Sequence, residues 1–349
     1  MEMLTIEEGK YYLNYLMLLV WRFNVFFIKY NSIKKFKNYC LIKLQKKFRT
    51  LKVRGYPYES IIESSSICNL RCPGCLAHSK NYHHGLMNIK KFKEIVDIYK
   101  DYLYTVELFS WGEPLYNKEI FKMIRYAKER NIFVRISSNF NKISDEGIKE
   151  IIESKLDLLK FAVDGTSQES YGKYRINGDF ELVMKNVKKL LEKKKSLKSK
   201  TPLIEWQFIV NRYNEHEMEK AKEIAKELGI DRLRFMNFSP IHINSENNSE
   251  EAEKWLPKNK RYRFWENSLK PKNYVFNTNC TYLWQSLTVS SEGKINLCPN
   301  RIGSQVDCVE VGENDFWNKN YFTNARNLFR KKTEVKIPCS GCREFKQKI

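Results

Sequence analysis

Three thiols fall within eight residues in Cys68-Asn-Leu-Arg-Cys72-Pro-Gly-Cys75. Thiolates are the ligands that soft metals and iron–sulfur clusters select, and a loop this tight can bring all three to one centre. A structural zinc site normally closes its shell with four ligands, which here would need His78, His83 or His84 as well. A four-iron cube held by three cysteines keeps one iron without a protein ligand, open to a substrate or cofactor. A second group begins at Cys280, with Gly293 and Cys298 behind it, and continues at Cys339-Ser-Gly-Cys342. Four thiolates at these positions would complete a fully protein-ligated centre, either an iron–sulfur cluster or a zinc ribbon. Two cysteines are left over. Cys40 is expected to be buried in the N-terminal helices. Cys308 reads as a small buried hydrophobe, with a cluster ligand or a hydrogen-donating thiol as alternatives.

Such thiols need a frame that aims them. After Tyr56-Pro57 the pattern alternates between strands and helices. Strands are predicted near 60–67, 105–109, 133–137, 158–163, 204–210 and 233–237, and helices near 89–100, 118–130, 145–154, 180–195 and 215–228. Six β/α units in series imply a parallel sheet that right-handed crossovers curl into a partial (β/α)6 TIM-like barrel. Active residues of such sheets lie at the C-terminal ends of the strands. The first three cysteines follow strand one, and Trp111-Gly112-Glu113-Pro114 follows strand two. Ser137-Ser138-Asn139 ends strand three, and Asp164-Gly165 ends strand four. Alone, each of these short polar segments reads as an ordinary turn or loop cap. Beyond Cys280, Leu287 to Ser290, a turn at Ser291-Glu292-Gly293 and Lys294 to Cys298 read as a hairpin.

Taken in this order, the motifs resemble the radical S-adenosylmethionine (SAM) superfamily, whose hallmark is Cys-x3-Cys-x2-Cys after the first strand of a partial barrel. The resemblance runs from about Ser60 to the C-terminus. It implies a [4Fe-4S] cluster on Cys68, Cys72 and Cys75 whose open iron chelates SAM. Reductive cleavage of SAM then yields a 5′-deoxyadenosyl radical that abstracts hydrogen from the substrate. It further implies that Gly112, Glu113 and Pro114 hold the SAM amino group, that Ser138, Asn139 and Asp164 lie near SAM, and that Arg175 faces its carboxylate. Gly74 departs from the pattern, since many members carry an aromatic residue just before the third cysteine. The C-terminal cysteines resemble a twitch or SPASM extension. With only Arg343 to Ile349 after the last pair, one auxiliary [4Fe-4S] cluster on Cys280, Cys298, Cys339 and Cys342 is expected. A hydrogen-donating Cys308 would make the enzyme an epimerase, as in some relatives. The resemblance also implies an external electron donor such as flavodoxin or ferredoxin. Its expected substrate is a peptide or protein side chain, or a lipid or glycan precursor, undergoing oxidation or rearrangement.

The whole chain agrees with a large globular protein. Its 349 residues are 42% hydrophobic and include only 14 Gly and 9 Pro, which excludes a disordered or collagen-like chain. The length suits one large domain with additions, or two domains. Four segments are expected: a basic helical extension over 1–55, the barrel over 56–240, a linker with a helix over 241–279 and the cysteine module over 280–349. Nine cysteines in two clusters do not resemble a secreted disulfide framework, and no basic n-region opens the chain, so a cytoplasmic protein is expected. The net charge of +21 asks for anionic partners, among them nucleic acid, an anionic membrane surface or an acidic substrate. A zinc-stabilised nucleic-acid binder without catalysis is the alternative function, but it leaves the barrel and the Gly-Glu-Pro segment unexplained. Tyr11 to Ile28 is nearly apolar but broken by Asn14, Arg22 and Asn24. It reads as an accessory or interfacial helix, at the inner membrane face in the latter case, rather than a span.

Overall fold

The computed structural model describes residue 23 and residues 28–79, 82–238, 253–263, 274–275, 280, 282–302, 309–310, 315–331 and 346–347. Helix α1 (Ile33–Lys47) precedes strand β1 (Glu59–Ile62). Then α2 (Ile89–Tyr99), β2 (Thr105–Glu107), α3 (Ile120–Glu129), β3 (Phe133–Ser138), α4 (Asp145–Glu153) and β4 (Leu158–Ala162) alternate. Two helices, α5 (Gln168–Tyr174) and α6 (Phe180–Ser196), lead to β5 (Leu203–Val210), α7 (Met218–Glu227) and β6 (Arg232–Asn237). The remaining elements are β7 (Tyr274–Val275), α8 (Tyr282–Gln285), β8 (Ser286–Val289), β9 (Lys294–Asn296), β10 (Val309–Glu310), α9 (Asn320–Lys331) and β11 (Lys346–Gln347).

One nine-stranded sheet runs in the order β10-β9-β8-β1-β2-β3-β4-β5-β6, while β7 and β11 pair separately. The six barrel strands are parallel and sequential, as the alternating pattern requires. The hairpin expected beyond Cys280 is present, and β8 pairs in parallel with β1 from Glu59↔Ser286 to Ile62↔Val289. Strands β8, β9 and β10 of the C-terminal segment therefore extend the barrel sheet.

Local signals explain the helices. Asn88, Ser144 and Asp179 cap α2, α4 and α6 by accepting from the third residue onward, and three lysines close the last turn of α6. Ile120, Met123, Ile124 and Ala127 form the buried stripe of α3. Strand alternation divides each strand between the helical layer and the lumen. On β5, Ile204, Trp206, Phe208 and Val210 pack outward and are fully buried, while Glu205, Gln207 and Ile209 face the other way.

Three differences from the sequence reading have physical causes. Strand β1 ends at Ile62 because the serines after it turn to loop bonds: Ser64 Oγ donates to the Leu108 carbonyl at 2.7 Å and Ser66 N to the Gly85 carbonyl at 3.0 Å. Helix α5 lies between two predicted elements and starts on a Ser167 cap that accepts from Ser170 N. Cys40 is half-buried rather than buried, because α1 turns a different face inward. Cys308, Cys339, Cys342, nearly all of Tyr11 to Ile28 and most of the 241–279 linker lie outside the described residues.

Asn117 pins the first two strand-end loops together. Its amide donates to the carbonyls of both Ser64 and Met87 at 2.7 Å, in a fully buried setting. Replacing Asn117 by Ala strands the Met87 carbonyl, while the Ser64 carbonyl keeps its bond from Met87 N at 3.0 Å. The expected loss, read by denaturant unfolding, is about 1 to 3 kcal/mol, the desolvation cost of one buried acceptor.

Candidate active site

The strand ends β1 to β6 surround a cavity of about 330 Å³. Cys68, Cys72 and Cys75 share its wall with Trp111, Gly112, Glu113, Ser138, Asn139 and Arg175. Every residue expected near the cofactor thus lines this one cavity, save Pro114 and Asp164, which stand behind the wall.

The cysteine loop turns on Gly74, whose φ of +74° lies in the left-handed region, and Cys75 N donates to the Cys72 carbonyl at 3.1 Å. Each sulfur has a polar neighbour. Cys68 Sγ accepts from Leu70 N at 3.4 Å and Asn139 Nδ2 at 3.6 Å. Cys72 Sγ faces an Arg175 guanidinium nitrogen at 3.8 Å, and Cys75 Sγ lies 3.7 Å from the Trp111 carbonyl. Burial pushes the Cys68 thiol up to about 12, Cys75 up to about 11, and Cys72 upward as well. A neutral thiol is thus favoured at each position, and a bound cation would reverse this by deprotonating its ligands. Among the described residues no three His, Cys, Asp or Glu side chains close on a single metal ion. The thiols instead spread over the wall of a wider cavity. His78 bonds the Leu70 carbonyl, and His83 lies 3.4 Å from Glu292. The soft donor set, the amides aimed at sulfur and the cationic Arg175 fit a sulfur-ligated cluster.

The other motif residues hold this wall in place. Gly112 is required by close approach, since a Cβ there would sit 2.2 Å from the Ser65 carbonyl oxygen. Glu113 is 2% exposed, and its carboxylate accepts from Asn139 N at 2.7 Å and Leu115 N at 3.0 Å, tying the β2 and β3 ends together. Burial lifts it to about 7. Ser138 Oγ accepts from Phe140 N at 2.9 Å. Asp164 accepts from Arg175 Nε at 2.6 Å and from Ile209 N at 2.5 Å. Burial alone would lower the Arg175 pKa, yet Asp164 and Cys72 facing it raise it, so the guanidinium stays charged.

Two groups escape sequence reasoning. Glu63, just past β1, is 1% exposed and accepts from the Tyr82 hydroxyl, from Trp111 N at 3.3 Å and from Ser291 N at 3.4 Å, so it joins three loops. Beneath the cavity, Glu107, Arg135, Lys160, Glu205 and Arg234 share the lumen face with the lining residues Phe109, Ser137, Ala162, Gln207 and Met236 two positions on. Arg135 pairs with Glu107, and Arg232 lies 3.0 Å from Glu205. Lys160 sits over the Phe109 ring at 5.1 Å, and burial lowers it to about 8. Period-two alternation was the signal for this charged layer, but it does not say which side of a strand is the lumen.

The sequence profile of the radical SAM superfamily matches residues 62–205. The tungsten-containing aldehyde ferredoxin oxidoreductase cofactor-modifying protein of Pyrococcus furiosus is 26% identical over 184 residues, 52% of this chain and 51% of that protein. Mycofactocin maturase MftC of Mycobacterium tuberculosis is 23% identical over 129 residues, 37% of this chain and 33% of that one. The chain thus spans about half or less of the length of these curated relatives. Among solved structures, Streptococcus suis SuiB bound to precursor peptide SuiA superposes with a TM-score of 0.62 at 14% identity, covering 88% of this chain and 73% of that one. That likeness is one of fold, and it is the partial barrel that the alternating elements predict.

Glu63 and Glu113 give the metal-free protein a defined pH response. Burial raises both from 4.5 to about 7, so between these values the folded protein binds more protons than the unfolded chain and its stability falls as pH rises. Each contributes about 3 kcal/mol across the window. Burial raises Asp164 in the same direction, so Glu63→Gln removes one of three such carboxylates, and urea unfolding from pH 4.5 to 8 should show a loss about 3 kcal/mol smaller than that of the wild type. An unchanged slope would show that Glu63 titrates normally.

Proposed function

With a radical SAM domain over residues 62–205 as the premise, we propose that this protein is a radical SAM enzyme that abstracts hydrogen from a peptide side chain, leaving an oxidised or rearranged product. The observation that carries this reading is the meeting of Cys68, Cys72 and Cys75 with Glu113, Asn139 and Arg175 on one cavity wall at the strand ends. The peptide substrate is supported by the names of relatives: a mycofactocin maturase, and a fold neighbour captured with a precursor peptide. A lipid or glycan precursor is the alternative substrate class.

Cys68, Cys72 and Cys75 would hold the cluster, and SAM would occupy the cavity beside it. Together the two groups supply reductive cleavage of a sulfonium and removal of a hydrogen atom from the substrate. The chain's own residues prepare that site. Arg175, fixed by Asp164, places a permanent positive charge beside Cys72 and toward the cavity, where a carboxylate would be met. Each Glu113 oxygen accepts from a backbone amide, with the Ser138 hydroxyl as a further partner, and the carboxylate can still accept from an ammonium group. The buried wall keeps water from competing for a reactive intermediate. An external donor such as flavodoxin or ferredoxin would supply the electron.

An auxiliary [4Fe-4S] cluster on Cys280, Cys298, Cys339 and Cys342 belongs to the same proposal. Cys280 is buried and Cys298 half-buried. Cys298 opens the turn Pro299–Arg301, whose Pro299 carbonyl accepts from Trp111 Nε1 at 2.9 Å and whose Asn300 lines the cavity. The C-terminal segment thereby touches the site wall, which suits a centre that takes an electron from a substrate radical. Cys308 is proposed as a structural residue, with hydrogen donation as its alternative.

Anaerobic reconstitution tests the assignment. The wild-type chain should bind about eight irons and form 5′-deoxyadenosine from SAM under reduction, and Cys72→Ser should lose about four irons together with that product. Cys280→Ser should lose a different set of about four while keeping the roughly four irons held by Cys68, Cys72 and Cys75. Zinc in place of iron in the wild-type protein would refute the reading.

A further inference from the structure

Helix α1 is packed with its polar side inward. Its buried residues are Lys35, Asn38, Ile42 and Gln45, and three of these four are polar. Each satisfies backbone groups of the barrel or the chain leading into it. Lys35 Nζ donates to the Asn131 carbonyl at 2.7 Å, and Asn38 exchanges two bonds with the backbone of Tyr56 at 2.9 and 2.8 Å. Gln45 Oε1 accepts from Arg54 N at 3.3 Å and Gly55 N at 3.4 Å. The helix is thus held largely by hydrogen bonds, and most of its large apolar side chains are left outside.

Ile33, Phe36, Leu41, Leu44 and the C-cap Phe48 are 77%, 43%, 38%, 54% and 70% exposed. At 100° per residue, Ile33, Leu44, Phe48 and Leu41 fall within about 80° of one another. Lys37 stands among them, Lys34 borders one side, and Phe36 shares the other side with Lys43 and Lys47. Phe23 and Ile28, just ahead of the helix, are exposed as well. An apolar stripe of this kind rimmed by charge marks an interaction surface.

The charge pattern selects the occupant. From residue 9 to residue 58 the chain has twelve Lys and Arg and not one Asp or Glu. A second copy docked on the same face would set lysine against lysine. A lipid bilayer with anionic headgroups satisfies both components, taking the apolar side chains at the headgroup boundary and the lysines at its phosphates. Lys34 also reaches Asp101 at 2.6 Å, an exposed pair that competing headgroups would loosen. No helix among the described residues is long and apolar enough to cross a membrane. Helix α1, with 15 residues and lysines at both ends, would lie along the surface. We propose that the outer face of α1 docks this protein on an anionic lipid surface. The proposal stands apart from the radical SAM reading, since none of its residues lines the cavity.

Flotation of the full chain with phosphatidylcholine vesicles, with and without phosphatidylglycerol, tests it. Binding is expected only to the anionic vesicles and should weaken with salt. Lys37→Gln and Lys47→Gln should each cut binding about fivefold, the contribution of one lysine near a charged leaflet. Phe36→Ser combined with Leu44→Ser and Phe48→Ser should cut it at least about tenfold, from lost apolar burial. These side chains are exposed, so an unchanged circular dichroism melt confirms that the variants still fold. Equal binding to neutral vesicles overturns the proposal, as does anionic binding that survives the triple change, which would place the contact elsewhere in the chain. Absence of vesicle binding overturns it too, including the case where the wild-type chain dimerises and the triple variant is monomeric.

Discussion

The site depends on a constraint imposed by burial: wherever a strand-end loop turns into the cavity wall, its backbone amides and carbonyls leave the sheet ladder and must find partners away from water. Glu113, Asp164, Asn117 and Glu63 supply those partners. Each reaches from one strand end to the next, so the loops that carry the thiols, the Gly-Glu-Pro segment and Asn139 form one bonded ring. Asn214 extends the same device, donating to the carbonyls of Asp164 and Ile209 at 3.1 and 2.9 Å. Two of these carboxylates titrate near neutrality because bonds to neutral amides only partly offset the cost of burying charge.

The same accounting explains the thiols. Burial favours the neutral form at all three, yet amide donors and the Arg175 cation are already directed at the sulfurs. Such surroundings suit a ligand set that becomes anionic only when a metal centre arrives, and hydrogen bonds to sulfur tune the potential of an iron–sulfur centre. A rigid wall also limits how far the bound groups can drift, and positioning is the protein's main contribution when cofactors carry the chemistry.

Helix α1 and the barrel lumen show polar groups used against expectation. The sequence of α1 invites an apolar face toward the core, but loop carbonyls and amides near Tyr56 and Asn131 took the buried positions for Asn38, Lys35 and Gln45. In the lumen, charged pairs lie beneath the cavity where a closed barrel would stack branched apolar side chains. Mutual pairing of opposite charges, with Glu205 fully buried against Arg232, is what lets that layer tolerate them.

What could be read from the chain alone was what is local. Cysteine spacing, the Gly-Glu-Pro and Asp-Gly turns, helix caps and alternating periods depend on neighbours in sequence, and they placed the six barrel strands, five of the helices between them and the cavity-lining thiols. Glu63, Asn117 and the lumen charges were invisible, because an isolated Glu, Asn or Lys in a loop or strand looks the same whether it faces water or bridges distant backbone groups. The parallel pairing of β8 with β1 was equally hidden, since a hairpin carries no record of which outer edge it will join. Local geometry is written in consecutive residues, whereas burial, and the hydrogen-bond partners burial demands, exist only once the chain has closed on itself.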